Sequence, residues 1–200
     1  MADWKLTDGF GWDGAGSAKA EPYRCGYCGY DVSSDKGWRV QHDAAIAIRV
    51  CPQCNGPTFF DSRRTQWPGP LVGSVVQAVP PDTAALYDEA RRSVAANAFT
   101  GAVMLCRKIL MHVAVEKSAK ENQSFAYYVR WLADEHWIPP GAEVWVTYIK
   151  DRGNEANHEI VLMTRDDAVG ILRFAEALLR NVYELPAAVP PLPPTEPAAQ

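Results

Sequence analysis

Cys25-Gly26-Tyr27-Cys28 and Cys51-Pro52-Gln53-Cys54 decide how the first third of this 200-residue chain folds. The two Cys-x-x-Cys pairs, 22 residues apart, have the ligand spacing of a four-thiolate zinc site. Sulfur fills all four coordination places, so the expected ion is structural. A catalytic zinc keeps one position open and commonly takes a His or carboxylate ligand. His42 lies between the pairs, but no place is left for it. Two matched pairs also favour a metal over thiol redox chemistry. Iron is the other metal such a set accepts. A segment the size of residues 21–66 cannot bury enough apolar surface to fold alone, and the ion replaces the missing core.

Outward from the cysteines, the pattern is short strands between turns. Ala44–Val50 leads into the second pair and Pro57–Asp61 leads out of it. Gly29 follows the first pair and Asn55-Gly56 the second. These residues tolerate the positive φ of a turn that wraps backbone N–H groups around a thiolate. Residues 1–20 are rich in Gly and Asp, carry Trp4 and Trp12, and show no period. They read as a flexible arm, with docking of the tryptophans on the ribbon as the alternative. Residues 21–66 are the ribbon and 67–80, with Pro68, Pro70 and Pro80, an extended linker.

From residue 81 the period becomes helical. Asp82 is the expected N-cap of a helix carrying Leu86, Ala90 and Val94. A second helix, Phe99 to Glu121, is apolar around much of its surface, with Val103, Met104, Leu105, Ile109, Leu110 and Val113. That makes it central to a bundle, and makes Cys106 a small core residue. Ser124 opens a third helix, with Phe125, Tyr128 and Leu132 on one face, ended by Pro139-Pro140. A fourth covers about 141–152, continuing toward Glu159. Thr164-Arg-Asp-Asp167 is a capping box with Asp for the usual Glu, and opens a helix through Tyr183 that Pro186 stops. The bundle is therefore 81–185, and 186–200 is a Pro-rich tail without ladder-forming capacity. The fold class is α+β by segment: a four-cysteine ribbon of short strands, then an all-α bundle.

The formal net charge is −4. Residues 21–66 carry six basic and five acidic side chains, and 81–185 twelve and fifteen. Bulk electrostatic binding to nucleic acid is excluded, and any such site has to be local. No apolar run approaches the about 20 residues needed to cross a bilayer, and no signal peptide is visible. With an odd cysteine left over, the expected compartment is the reducing cytoplasm. No Walker loop, serine triad or paired-carboxylate motif is present.

Two stretches carry a resemblance. One is Val79–Arg92, with Tyr87-Asp88-Glu89-Ala90, running on through Phe99–Leu110. The other is Arg152-Gly153-Asn154-Glu155-Ala156-Asn157-His158. Over about residues 79–185 the chain resembles the domain of unknown function 4145 family, grouped with the higher eukaryote and prokaryote nucleotide-binding (HEPN) superfamily. The resemblance implies a helical bundle that forms a homodimer. It also implies, as in several superfamily members, a metal-independent RNase of defence systems. Carried over, His158 would move a proton at the RNA 2′-hydroxyl or leaving oxygen, Arg152 would stabilise phosphate charge, and Asn154 would position the phosphate. Lys150 joins Asn154 and His158 in a stripe spaced by four, a candidate ligand-binding face. On a continuous helix Arg152 and His158 lie about 120° apart. Either Gly153, which stands where the most frequent active form has Arg, breaks the helix, or the pair does not work within one subunit. Three readings stay open: a structural role, binding of nucleotide, RNA or a partner protein, and cleavage. Trp131, Trp137 and Trp145 are either stacking residues or core.

Overall fold

A computed structural model describes residues 16–40, 43–138 and 162–189. Five strands, β1 (Gly16–Arg24), β2 (Asp31–Val40), β3 (Asp43–Val50), β4 (Pro57–Phe60) and β5 (Gln66–Trp67), form one antiparallel sheet in chain order. This order has a geometric consequence. In a meander, alternate connections fall at the same end of the sheet, so the β1–β2 and β3–β4 turns are neighbours. Those two turns hold the two cysteine pairs. The sheet is curled: Gln66 of β5 donates from Nε2 to the Arg24 carbonyl of β1 at 2.8 Å. Arg49 braces the concave side. Its guanidinium is buried, donates to the Ser34 and Lys19 carbonyls at 2.7 and 3.1 Å, and pairs with Glu21 at 3.0 Å.

The two strands expected from sequence are present as β3 and β4, each within a residue of its expected bounds. β1 and β2 are longer than expected, with 9 and 10 residues. Residues 16–20, assigned by sequence to the arm, are the first half of β1. Trp4, Trp12 and His42 lie outside the described residues.

Helices α1 (Pro81–Ala95), α2 (Phe99–Glu116), α3 (Phe125–Asp134) and α4 (Arg165–Leu179) build the second part. α2 is central, packing on α1, α3 and α4. Ala102, Cys106, Ile109, Leu110, Val113 and Ala114 are fully buried on it. Burial pushes the Cys106 thiol up to about 12, as befits a core residue. Met104, expected in the core, is 56% exposed. Trp131 and Trp137 pack, partly buried, against the core. Trp145 and the expected fourth helix lie outside the described residues.

Several expected boundaries shift. Asp82 is not the N-cap: Pro80 caps α1 and Pro81 begins it, where a missing N–H costs nothing. α2 stops at Glu116 rather than Glu121, because Ser118 adopts a φ of 85° and turns the chain away. α3 ends at Asp134, ahead of Pro139, and His136 has a φ of 59°. The helical run after α4 passes Pro186, through a π-helical turn, Arg180–Glu184, and a last short turn α5 (Leu185–Ala187).

Ser124 does cap α3, accepting from Tyr127 N–H at 3.2 Å. The Thr164–Asp167 capping box is complete. Thr164 Oγ1 accepts from Asp167 N–H at 3.2 Å, and Asp167 Oδ2 accepts from Thr164 N–H at 2.9 Å. Thr164→Ala is expected to cost about 1 kcal/mol in a urea titration, and Thr164→Ser almost nothing.

The segment 68–80 is not a free linker. Leu71 and Val76 are buried, and Gly69 N–H donates to the Ala95 carbonyl at 2.7 Å. Arg91 of α1, 5% exposed, donates to the Val72 carbonyl at 3.0 Å and the Gly73 carbonyl at 2.9 Å. Gln77 N–H donates to the Glu184 carboxylate at 2.7 Å.

Candidate metal centre

Each cysteine pair sits on a turn of the same design. Cys25 N–H donates to Tyr30 O at 2.9 Å, and Gly29 N–H to Cys25 O at 3.0 Å. In the second turn, Cys51 N–H donates to Gly56 O at 3.0 Å, and Asn55 N–H to Cys51 O at 2.8 Å. Both turns close on a positive φ, 74° at Gly29 and 59° at Asn55, as their residue types foretold. Gly56 serves differently. A Cβ there would lie 2.6 Å from the Tyr27 ring, so the first turn lays its tyrosine against the second. Gly26 also answers to close approach. Its Cβ would fall 2.5 Å from the Gly69 carbonyl oxygen and 2.8 Å from that of Pro68, pressing the site onto the 68–80 segment. Neither contact is visible in sequence, because each joins segments remote along the chain.

The four sulfurs converge. Cys25 and Cys54 Sγ are 3.7 Å apart, Cys28 and Cys51 Sγ 3.8 Å, and all four lie within 4.8 Å of one another. A tetrahedral ion with about 2.3 Å metal–sulfur bonds needs sulfur edges of about 3.8 Å. A disulfide needs about 2.05 Å, and all five cysteines are free thiols. Cys25 and Cys51 are fully buried, and Cys28 and Cys54 partly so. The set therefore fits a structural zinc held by Cys25, Cys28, Cys51 and Cys54. The ion would supply cross-linking of the two turns.

Electrostatics distinguish the thiols. Burial pushes Cys25 up strongly and Cys54 up to about 11. At Cys51 burial also raises the value, but N–H donation from Cys54 and Gln53 outweighs it and leaves the thiol low. Tyr27 N–H points at Cys25 Sγ in the same way, at 3.4 Å. At neutral pH the metal-free site therefore holds protons on Cys25 and Cys54 that a metal must displace. Lowering pH keeps those protons on and opposes the metal; raising pH favours it. Apparent zinc affinity is expected to fall steeply from pH 8 to pH 6 in chelator competition, with protons released on loading.

Of the residues singled out in sequence, the four cysteines are brought together. Arg152, His158, Lys150 and Asn154 lie outside the described residues. No helix among the described residues is long and apolar enough to cross a membrane.

Fold and site together define a protein with a four-cysteine antiparallel sheet at its N-terminal side and a helical bundle after it. The chain belongs to the family described as Domain of unknown function (DUF4145), whose model matches residues 88–192. The match covers the bundle from Asp88 in α1 onward and not the cysteine-bearing sheet. No curated protein and no solved structure matches the chain.

Proposed function

We propose that this protein is a zinc-ribbon plus HEPN-like module that binds nucleotide, RNA or a partner protein. Its setting is a defence or nucleic-acid-processing system in the cytoplasm, where it acts as an accessory or sensing component and a homodimer. The observation that carries the reading is the closed four-sulfur set. A site with every ligand position filled by thiolate builds a scaffold and leaves no place for a reacting water. Nucleotides and RNA are expected to raise the melting temperature of the zinc-loaded protein, and Lys150→Ala or Arg152→Ala to abolish the shift. An unchanged melting temperature across nucleotides and RNA would leave a protein-interaction scaffold as the function.

A second reading is favoured by one sequence observation, the Arg152–His158 spacing. In that reading the protein is a metal-independent RNase acting at a dimer interface. Purified protein then cleaves RNA in EDTA-containing buffer, and His158→Ala stops cleavage while preserving the helical signal. Intact RNA in that assay removes the reading.

A further inference from the structure

Beside the buried guanidinium of Arg49 lies a cavity of about 110 Å³ with one-sided charge. Lys19 of β1, Lys36 and Arg39 of β2 and Arg49 of β3 line it, and Glu21 is the carboxylate among the described lining residues. Register puts these groups together. Arg39 stands opposite Ala47, two residues from Arg49 and so on the same face of β3. Both register shifts among the described strands fall here as well. β1 and β2 slip between Ser17 and Glu21, around Lys19, and β2 and β3 slip between Arg39 and Val40. Such bulges re-aim side chains and gather beside functional sites.

Glu21 does not balance the cations. Arg49 and Arg64 both pair with it, so its charge is already met. Arg49 is fixed further by the Lys19 and Ser34 carbonyls. Lys19, Lys36 and Arg39 make no ion pair among the described residues. A recess lined by one sign of charge concentrates counter-ions. Its volume is well below the about 300 Å³ of a pocket that encloses a whole small molecule. The cavity therefore suits one compact anion, with the rest of any ligand outside.

We propose that Lys19, Lys36 and Arg39, beside Arg49, bind a terminal phosphoryl group, carried by a mononucleotide or by the 5′ end of an RNA. A phosphomonoester brings nearly two negative charges and three acceptor oxygens at neutral pH. The Arg39 fork can meet two of those oxygens, and the lysines act as point charges. An internal RNA phosphate carries a single charge and is linked on both sides, so it fits a small recess poorly. A carboxylate brings one charge and two oxygens, too few for three cations. This inference rests on the binding reading above and names the ligand group that is recognised.

The test uses full-length, zinc-loaded protein. Calorimetry follows inorganic phosphate, AMP and adenosine. Anisotropy follows 3′-labelled U10 RNA with a 5′-phosphate or a 5′-hydroxyl. Phosphate and AMP should bind where adenosine does not, or the 5′-phosphate should raise RNA affinity about tenfold over the 5′-hydroxyl. The first result names a mononucleotide as the source of the group, and the second an RNA end. Lys36→Gln/Arg39→Gln should weaken that binding about tenfold or more. Lys120→Gln, which removes an exposed cation between α2 and α3, should leave it unchanged. Zinc content and melting temperature verify that each variant folds. Equal affinity with and without the phosphate, or binding that Lys36→Gln/Arg39→Gln leaves intact, would overturn the phosphate site and spare the binding reading. No binding of phosphate, AMP or either RNA would overturn the site, and the melting-temperature screen with other nucleotides and longer RNA would then decide the broader reading separately.

Discussion

Stripping the metal is expected to unfold the sheet and leave the bundle folded. The two parts have unequal cores. In the sheet, the buried hydrophobic cluster at the cysteines holds, among the described residues, Tyr23, Cys25 and Cys51, flanked by partly buried Tyr27, Cys28, Val32, Cys54 and Phe60. The bundle buries the α2 stripe together with Tyr128, Leu132, Ile171, Leu172, Leu178 and Leu179. Structural zinc contributes about 10–16 kcal/mol in small domains, as much as a whole domain's stability of about 5–15 kcal/mol. Chelation at mildly acid pH, or Cys51→Ser, should therefore erase the β contribution to circular dichroism and shift Trp38 and Trp67 emission to the red. The 222 nm helical signal and its thermal transition should persist. A sheet that stays folded with zinc shown to be absent by atomic emission would mean that packing, not metal, holds it.

Loss of the Arg91 side chain is the second large effect. Its guanidinium lies at the seam between α1 and the 68–80 segment, reaching the Val72 and Gly73 carbonyls and pairing with Asp88 at 3.3 Å. The surroundings leave little room for rearrangement. Gly73 has a φ of 73°, and a Cβ there would lie 2.6 Å from the Tyr87 hydroxyl. Arg91→Met keeps the apolar stem but strands two carbonyls and removes the ion pair. The expected cost is about 3–5 kcal/mol in urea denaturation, with new protease sensitivity between residues 68 and 80. Arg91→Lys should recover only part of this, since an ammonium lacks the planar fork that serves both carbonyls and Asp88 at once. A variant as stable as the parent would show that the segment is held without Arg91, by buried Leu71 and Val76 and by the Gly69 and Gln77 hydrogen bonds.

Much of the architecture was legible because it rests on local chemistry. The cysteine spacing, the positive-φ residues Gly29 and Asn55, the Ser124 cap, the Thr164–Asp167 box and the buried α2 stripe each depend on neighbours a few residues away. The misplaced boundaries have equally specific causes. Asp82 lost its cap position because Pro81 can begin a helix. The run past Pro186 continues because the proline falls in the first turn of the short α5 that follows the π turn, a position proline tolerates. Met104 is exposed because α2 turns that side away from its neighbours, which hydrophobicity alone does not report.

The chain's own order of residues determined that four thiols would serve one centre and that an α-helical part would follow, since ligand type and periodicity are properties of short stretches. Tertiary structure alone decided how the centre is seated. The meander brings both turns to one end, Tyr27 closes on Gly56, and Gly26 presses on residues 68–69. It alone gathered Lys19, Lys36 and Arg39 at one cavity. Strand register and close contact depend on distances between segments far apart in the chain, and no local pattern encodes them.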